Sequence, residues 1–304
     1  MTVVTIEIES DGGYALLCAP DGDYGDEGME LDQSPDGLYS TAFTARTVSG
    51  DFQVGGRVTG QTIPIREMTL PINCYGMDES TPGAGIETTI SNLRKIFGSP
   101  LNPKIVTWTY TSELSGPRTL KLQLKNEIKF SPTRDWNIDG YARAVVTVIA
   151  PMPNYEAPEV VQSWQNPSAG THTGYFDLWN PTDQYLWLEW DFDPATQWQF
   201  PDFSFGQEWK WMRDAGADAN RMIVTPALTS RLSVMADPMM DPYLNADLST
   251  AAGDFNGVYP MYGVPPYTGS EDDPIVVPVV CNGPAGAECM MTQRRFWSAE
   301  SGLE

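Results

Sequence analysis

Histidine is almost missing from this chain: His172 stands alone among 304 residues. A Ser/His/Asp triad or a Cys/His zinc site draws on histidine, and GTHTGY, where His172 sits, has no nucleophile elbow beside it. Cysteine is scarce as well. Cys18, Cys74, Cys281 and Cys289 form no CxxC pair, so in a cytosolic setting they read as free, buried thiols. A Cys281–Cys289 bridge across NGPAGAE is the one alternative. Basic residues number 18 against 40 acidic ones, a formal charge of −22. That balance argues against sequestering nucleic acid or coating an anionic membrane, since both need a positive footprint, and no sequence-specific nucleic-acid binding is expected. No apolar run approaches the roughly 18 residues of a membrane span, so no membrane insertion is expected. The opening MTVVTIEIES is neither basic nor apolar enough for a signal peptide. Walker and GxGxxG patterns are absent, which removes nucleotide sites, and no cofactor is expected.

What is present describes a β protein. Hydrophobic content of 41% places the chain among globular proteins rather than disordered ones. VVTIEI, STAFTARTVS, GRVTGQTIPI, REMTLPINCYG, KIVTWTY, RTLKLQLKNEIKF and YARAVVTVIA are β-branched or aromatic runs between Gly and Pro punctuation, and are predicted strands. ETTISNLRKIF is the one helical pattern in this half, with Ile90, Leu93 and Ile96 or Phe97 on one face and Gly98 as its stop. PMPNYEAPE is a proline-punctuated boundary, giving domains at 1–155 and 156–304. The second half shows short strands between turns (GTHTGYFDLWN, YLWLEWDF, NRMIVTP, SRLSVMAD, PIVVPVVC, ECMMTQRRFW), the spacing of an antiparallel sandwich. Charge is divided unevenly, 12 Lys+Arg against 19 Asp+Glu up to Tyr155 and 6 against 21 after it.

Three constellations carry candidate chemistry. The segment Trp179–Trp211 holds six of the ten tryptophans. Such rings stack on sugars, and they also fill sandwich cores. Glu189, Asp191 and Asp193 alternate within it, as a glycosidase pair would, and equally as the solvated face of a sheet does. DGDYGDEGMELD offers Asp21, Asp23, Asp26, Glu27 and Asp32, but Gly25 stands where a calcium loop needs Asp or Asn. In RTLKLQLKNEIKF, Lys121, Lys125 and Lys129 fall at even strand spacing, bracketed by Arg118, Arg134 and Arg143. This basic face suits an acidic neighbouring subunit, or it guards an edge strand. Lys121, Lys125, Lys129, Arg118 and Arg134 are the candidate interface.

In order along the chain, DFQVGGR, REMTLPINCYG, ETTISNLRKIF, RTLKLQLKNEIKF, GYARAVVTVIAPMPNYE, NPTDQYLWLEW, WQFPDFSFGQE, ADANRMIVTPAL, NGVYPMYGVPPYT and RRFWSAESGLE resemble the minor tail proteins of long-tailed actinobacterial phages, a branch of the distal tail protein family. The resemblance implies an N-terminal ring-forming β domain with one helix and a C-terminal galectin-like β-sandwich. It implies a hexameric ring at the tip end of the tail tube, with the tail tube, tape measure and tail-tip hub proteins as partners. It also implies a virion location after synthesis in the host bacterial cytoplasm, and no enzymatic activity. The alternative is a module that binds host cell-wall glycans through the Trp segment.

Alternation in YLWLEWDF turns Leu186, Leu188 and Trp190 to one face. Trp190, Trp198, Phe203 and Phe296 are therefore the candidate sandwich core. CMMTQRRFW reads as the closing strand, held by Arg294 and Arg295, while 299–304 reads as a dispensable tail. A genome passage lined by acidic residues, Asp21 to Asp32 or Asp51 among them, completes the expectation.

Overall fold

A computed structural model describes residues 3–304 apart from 78–84, 133–134, 136–137 and 139. Arg134 lies outside the described residues, as does the side chain of Asp21. The chain is mainly β and its sheets are antiparallel. It divides into two compact units, 1–157 with 297–303, and 158–296.

In the first unit, the alternating opening folds as β1 (Val4–Ser10) and turns back as β2 (Gly13–Cys18). The acidic loop follows and ends in β3 (Met29–Leu31). A separate ribbon, β4 (Thr44–Val48) and β5 (Arg57–Thr62), precedes the long β6 (Arg66–Tyr75). Helix α1 (Ile86–Phe97) buries Ile86, Ile90, Leu93, Ile96 and Phe97, the residues that recur every three or four positions. Gly98, at φ 77°, ends it where a side chain would strike the carbonyl of Asn102. Gly12 is equally constrained: a Cβ there would lie 1.9 Å from the carbonyl oxygen of Lys95, so the β1–β2 turn meets the last turn of α1 backbone to backbone.

After α1 come the two-residue strands β7 (Gly98–Ser99) and β8 (Asn102–Pro103), then β9 (Val106–Ser112), β10 (Gly116–Leu124), β11 (Lys129–Ser131), β12 (Tyr141–Ala150) and β13 (Tyr155–Glu156). The main sheet runs β2-β1-β9-β10-β12-β6-β3. β12 pairs with β6 over ten residues, from Tyr141 opposite Tyr75 to Ala150 opposite Arg66. Ala142, Ala144, Val146, Val148 and Ala150 face the core with Leu70, Ile72, Trp108 and Leu122. The single strand expected over RTLKLQLKNEIKF breaks after Leu124, because Lys125, Asn126 and Glu127 interrupt the alternation, and among the described residues β11 pairs only with β12.

The second unit is a sandwich of a five-stranded and a four-stranded sheet. β14 (Val160–Gln165), β16 (Leu188–Phe192), β19 (Leu232–Met235), β20 (Tyr243–Asn245) and β22 (Glu288–Gln293) form the first. β15 (Gly170–Leu178), β17 (Gln197–Pro201), β18 (Met222–Val224) and β21 (Ile275–Gly283) form the second. Their inner faces meet in aromatic packing. Trp190 lies 5.4 Å from Phe176 edge-on and 6.0 Å from Phe192, and Phe192 lies 5.2 Å from Trp198. Trp198, fully buried, donates its indole N–H to the Asp193 carbonyl at 2.9 Å. Phe203 is half-buried against this core. All four cysteines are free. His172, on edge strand β15, bridges Asn166 Oδ1 (2.8 Å) and Ser168 Oγ (3.1 Å).

The end of the chain departs from the sequence reading. β23 (Phe296–Trp297) pairs with β13 in the first unit's sheet, so Phe296 leads out of the sandwich and is not part of its core. Trp297 is buried in the first unit. Residues 298–302 then run across that unit as a strap. Arg118 is 1% exposed and belongs to no outer face. Its guanidinium lies 4.1 Å from the centroid of the Trp297 ring and donates to the carbonyls of Ala299 and Gly302, each at 2.9 Å. A charged group in that position keeps its charge only if acceptors replace water. The segment 299–302 supplies them, and it is structural rather than dispensable.

Two outcomes test this packing. Trp190→Ala should weaken the second unit by about 3–5 kcal/mol, read as loss of its urea-unfolding transition at lower denaturant while the first unit's is unmoved. Glu300, in the strap, has a buried Oε2 without a hydrogen-bond partner. Burial pushes its pKa up, against the pull of Arg118 and Arg66. A carboxyl whose folded pKa is raised adds stability below its unfolded value and loses it as pH rises through the folded one. Glu300→Gln should therefore melt higher than the native chain at about pH 7, with the difference vanishing near pH 4.

Candidate assembly surface

The β4–β5 ribbon buries nothing. All residues of both strands are exposed, and among the described residues the pair hydrogen-bonds to no other strand. The register slips between Arg46 and Thr47, and Thr59 Oγ1 fills in by donating to the Arg46 carbonyl at 3.2 Å. At the tip, Gly50 and Gln53 close a turn, and Ser49 Oγ donates to the Gly55 carbonyl at 2.8 Å. Phe52 and Val54 stand there fully exposed, Phe52 with φ 63°, a backbone state that bulky side chains rarely adopt. Phe43, Val48, Val58, Ile63 and Ile65 are exposed along the same arm. A lone two-stranded ribbon is marginal in water, and here both outer edges and seven large apolar side chains are uncovered. Arg46 and Arg57 against Asp51 make the arm slightly cationic on a chain of charge −22. Exposed apolar surface of this kind is a feature of interaction sites.

The lysines lie elsewhere on the first unit and are exposed. Lys121, on β10 opposite Thr107, donates to Thr107 Oγ1 at 2.7 Å. Lys125 pairs with Glu67 of β6 at 2.6 Å, and Lys129 sits on β11. Two of the three are thus engaged within the unit, and Arg118 is removed from the set by its burial. Arg143 is tied to Asp32 at 2.7 Å, which ties the acidic loop to β12. Among the described residues no His, Cys, Asp and Glu side chains gather as a metal-holding cluster.

In the second unit the tryptophans separate by role. Trp190 and Trp198 are core, while Trp179 lies under the Arg295 guanidinium at 4.5 Å. Trp209 and Trp211 are exposed on a 3-10 turn, Glu208–Trp211. The turn is held by buried Glu208, which accepts from Ser204 Oγ (2.6 Å) and the Gly216 N–H (3.0 Å), and by Gln207, which donates to the Gly263 carbonyl at 2.7 Å. Lys210 Nζ lies 4.0 Å from the Tyr185 ring centroid, and Trp211 meets Tyr259 edge-on at 6.3 Å. A groove of about 260 Å³ opens beside them, lined by Trp211, Met235, Met240, Tyr259 and Met261. The alternating carboxylates are engaged: Glu189 with Arg294 at 3.4 Å, Asp191 with Ser233 at 2.5 Å, and Asp193 with the Glu288 N–H at 3.2 Å.

Neither the arm nor the strap stands out in the sequence. STAFTARTVS and GRVTGQTIPI read as ordinary strands.

No protein-family model matches the sequence, and no curated protein does. Among solved structures, the Dit protein of phage SPP1, described as a hub of the adsorption apparatus in phages infecting Gram-positive bacteria, matches with TM-score 0.55 and 10% identity. The match covers 95% of this chain and 98% of that one. A chain of the phage P2 baseplate in its activated, calcium-containing conformation matches at TM-score 0.49 and 11% identity over 96% of this chain and 98% of that one. The protein shares its fold, over nearly its whole length, with the Dit protein of SPP1.

Proposed function

We propose that this chain is the distal tail protein of a long-tailed actinobacterial phage, six copies of which close into a ring through the first unit. The ring joins the tail tube to the tail-tip hub, has the tape measure protein as a further partner, and catalyses nothing. The observation that carries the reading is the β4–β5 arm, which leaves an isolated ribbon with its apolar side chains in water unless another chain covers it. The shared fold with SPP1 Dit supports it. Arms that each reach onto a different surface of the next copy make a head-to-tail contact, which closes into a ring when the rotation allows. A slightly cationic arm on an acidic chain is attracted to another copy rather than repelled by it. Lys121, Lys125 and Lys129 face a neighbouring protein in this reading, and the passage for the genome is acidic or neutral so that DNA is not held by counterion release.

A second reading is favoured by one observation: Trp209 and Trp211 are exposed on a turn pinned by buried polar groups. In this reading the second unit also holds a host wall glycan. Retention on wall polysaccharide, lost in Trp209→Ala/Trp211→Ala with unchanged melting, would establish it.

Assembly is tested with three proteins. Light scattering and negative-stain images of the native chain should show a ring of six copies. A chain with residues 43–64 replaced by a short Gly-Ser linker should stay monomeric with both units folded. Lys121→Glu/Lys125→Glu should assemble less readily, in a salt-sensitive way. A native chain that remains monomeric at high concentration, or an arm-replaced chain that still forms the ring, would overturn the proposal.

A further inference from the structure

The arm leaves the first unit through two feet, and one carbonyl at the far end of the chain touches both. Thr41 precedes β4 by three positions, and Arg66 follows β5 by four. The Ser298 carbonyl accepts the Thr41 N–H at 2.8 Å and Arg66 Nη2 at 2.9 Å, with Thr41 Oγ1 at 2.9 Å. Arg66 Nη2 also donates to Thr41 Oγ1 at 2.5 Å, which joins the feet directly. Arg66 is 2% exposed, so its donors have no water to fall back on. Its Nη1 reaches the Leu38 carbonyl at 3.1 Å, and the same oxygen accepts the Tyr155 hydroxyl at 3.0 Å. The strap is itself fixed further along, where Arg118 holds the carbonyls of Ala299 and Gly302, and the Gly302 N–H donates to Ser115 Oγ at 2.8 Å.

From this arrangement we propose that the strap, residues 297–302, is a clasp that sets the exit of the arm and so makes assembly depend on docking of the strap. Until the strap docks, the Thr41 N–H lacks its acceptor, Arg66 Nη2 keeps its bond to Thr41 Oγ1, and the Thr41 hydroxyl is left with the Pro153 carbonyl and Asn154 Oδ1. A ribbon whose strands, among the described residues, pair only with each other takes its direction from its feet. With the strap undocked, the apolar tip of the arm is not presented in the geometry a neighbouring copy accepts. Docking supplies the carbonyl that orients it. The inference rests on the reading of the arm as the assembly element.

The experiment compares the full chain, a chain ending at Trp297, and Thr41→Val in the full chain. Amide hydrogen exchange is measured at concentrations where each is monomeric, and ring formation is then followed as concentration rises. Truncation should speed exchange at residues 39–44 and 63–66 about tenfold, the size expected from losing one or two net hydrogen bonds, with β16 and β21 of the second unit unchanged. Ring formation should need a correspondingly higher concentration. Feet that exchange at the native rate in a folded truncated chain would overturn the clasp. If truncation unfolds the first unit, seen as lost protection in β9 and β10, Thr41→Val decides: faster exchange confined to the feet supports the clasp, and native rates overturn it. A truncated chain with loosened feet that still assembles like the full chain refutes the gating role. If the arm-replaced chain assembles too, the arm reading itself has failed.

Discussion

Arg66 and Arg118 are almost wholly removed from solvent, and a guanidinium so placed must find acceptors for donors it no longer shares with water. Their Nη groups find acceptors in main-chain carbonyls, most of them on residues 298–302. The first unit therefore cannot be completed from its own continuous stretch of sequence. Most of its sheet, its helix and most of its core come from residues up to Ala157, but β23 and Trp297 join them and the ends of β6 and β10 are finished by the strap. Stacking of Arg118 on Trp297 and of Arg66 over Tyr155, at 4.1 and 4.8 Å to the ring centroids, adds cation–π attraction at the same places.

That dependence links the parts of the unit that a partner would meet. The arm is outside the core, the strap is on it, and the two arginines stand where they join. An exposed ribbon with apolar side chains is a liability for a protein that works alone and an asset for one that is completed by neighbours. In the proposed ring, the strong net negative charge would keep separate copies soluble while the slightly cationic arm offers one attractive contact between them.

The second unit answers a different question, why a single acidic segment needs six tryptophans. They do not share one task. Trp190 and Trp198 bury large aromatic surfaces between the two sheets of the sandwich, where Phe176, Phe192 and Phe200 pack at centroid distances of 5.2 to 6.1 Å. Trp179 covers Arg295, and Trp209 and Trp211 are displayed on a turn whose polar side chains are spent on holding it rigid. The carboxylates that alternate with the core tryptophans are bound to Arg294, Ser233 and the Glu288 amide, which is what the solvated face of a sheet uses them for.

Local pattern carried much of the architecture. Alternation in YARAVVTVIA and YLWLEWDF marks which residues of β12 and β16 turn inward, because a strand exposes its two faces at a period of two whatever its neighbours are. Spacing of three and four, closed by Gly98, marks α1 for the same kind of local reason. The sequence by itself thus determined the β class, the single helix of the first half and the inward faces. It could not determine that Arg118 is buried, since its acceptor on Ala299 lies 181 positions away and an arginine in a strand reads locally as an exposed charge. Nor could it place RRFWSAESGLE, whose apolar start belongs equally well to a sandwich strand until β13 is there to pair with it. The arm is the clearest case: STAFTARTVS and GRVTGQTIPI have the residues of strands, but whether a strand is covered depends on what the rest of the fold leaves beside it. Only the tertiary structure decided that nothing does, because burial is a property of neighbours and a strand's own residues do not name them.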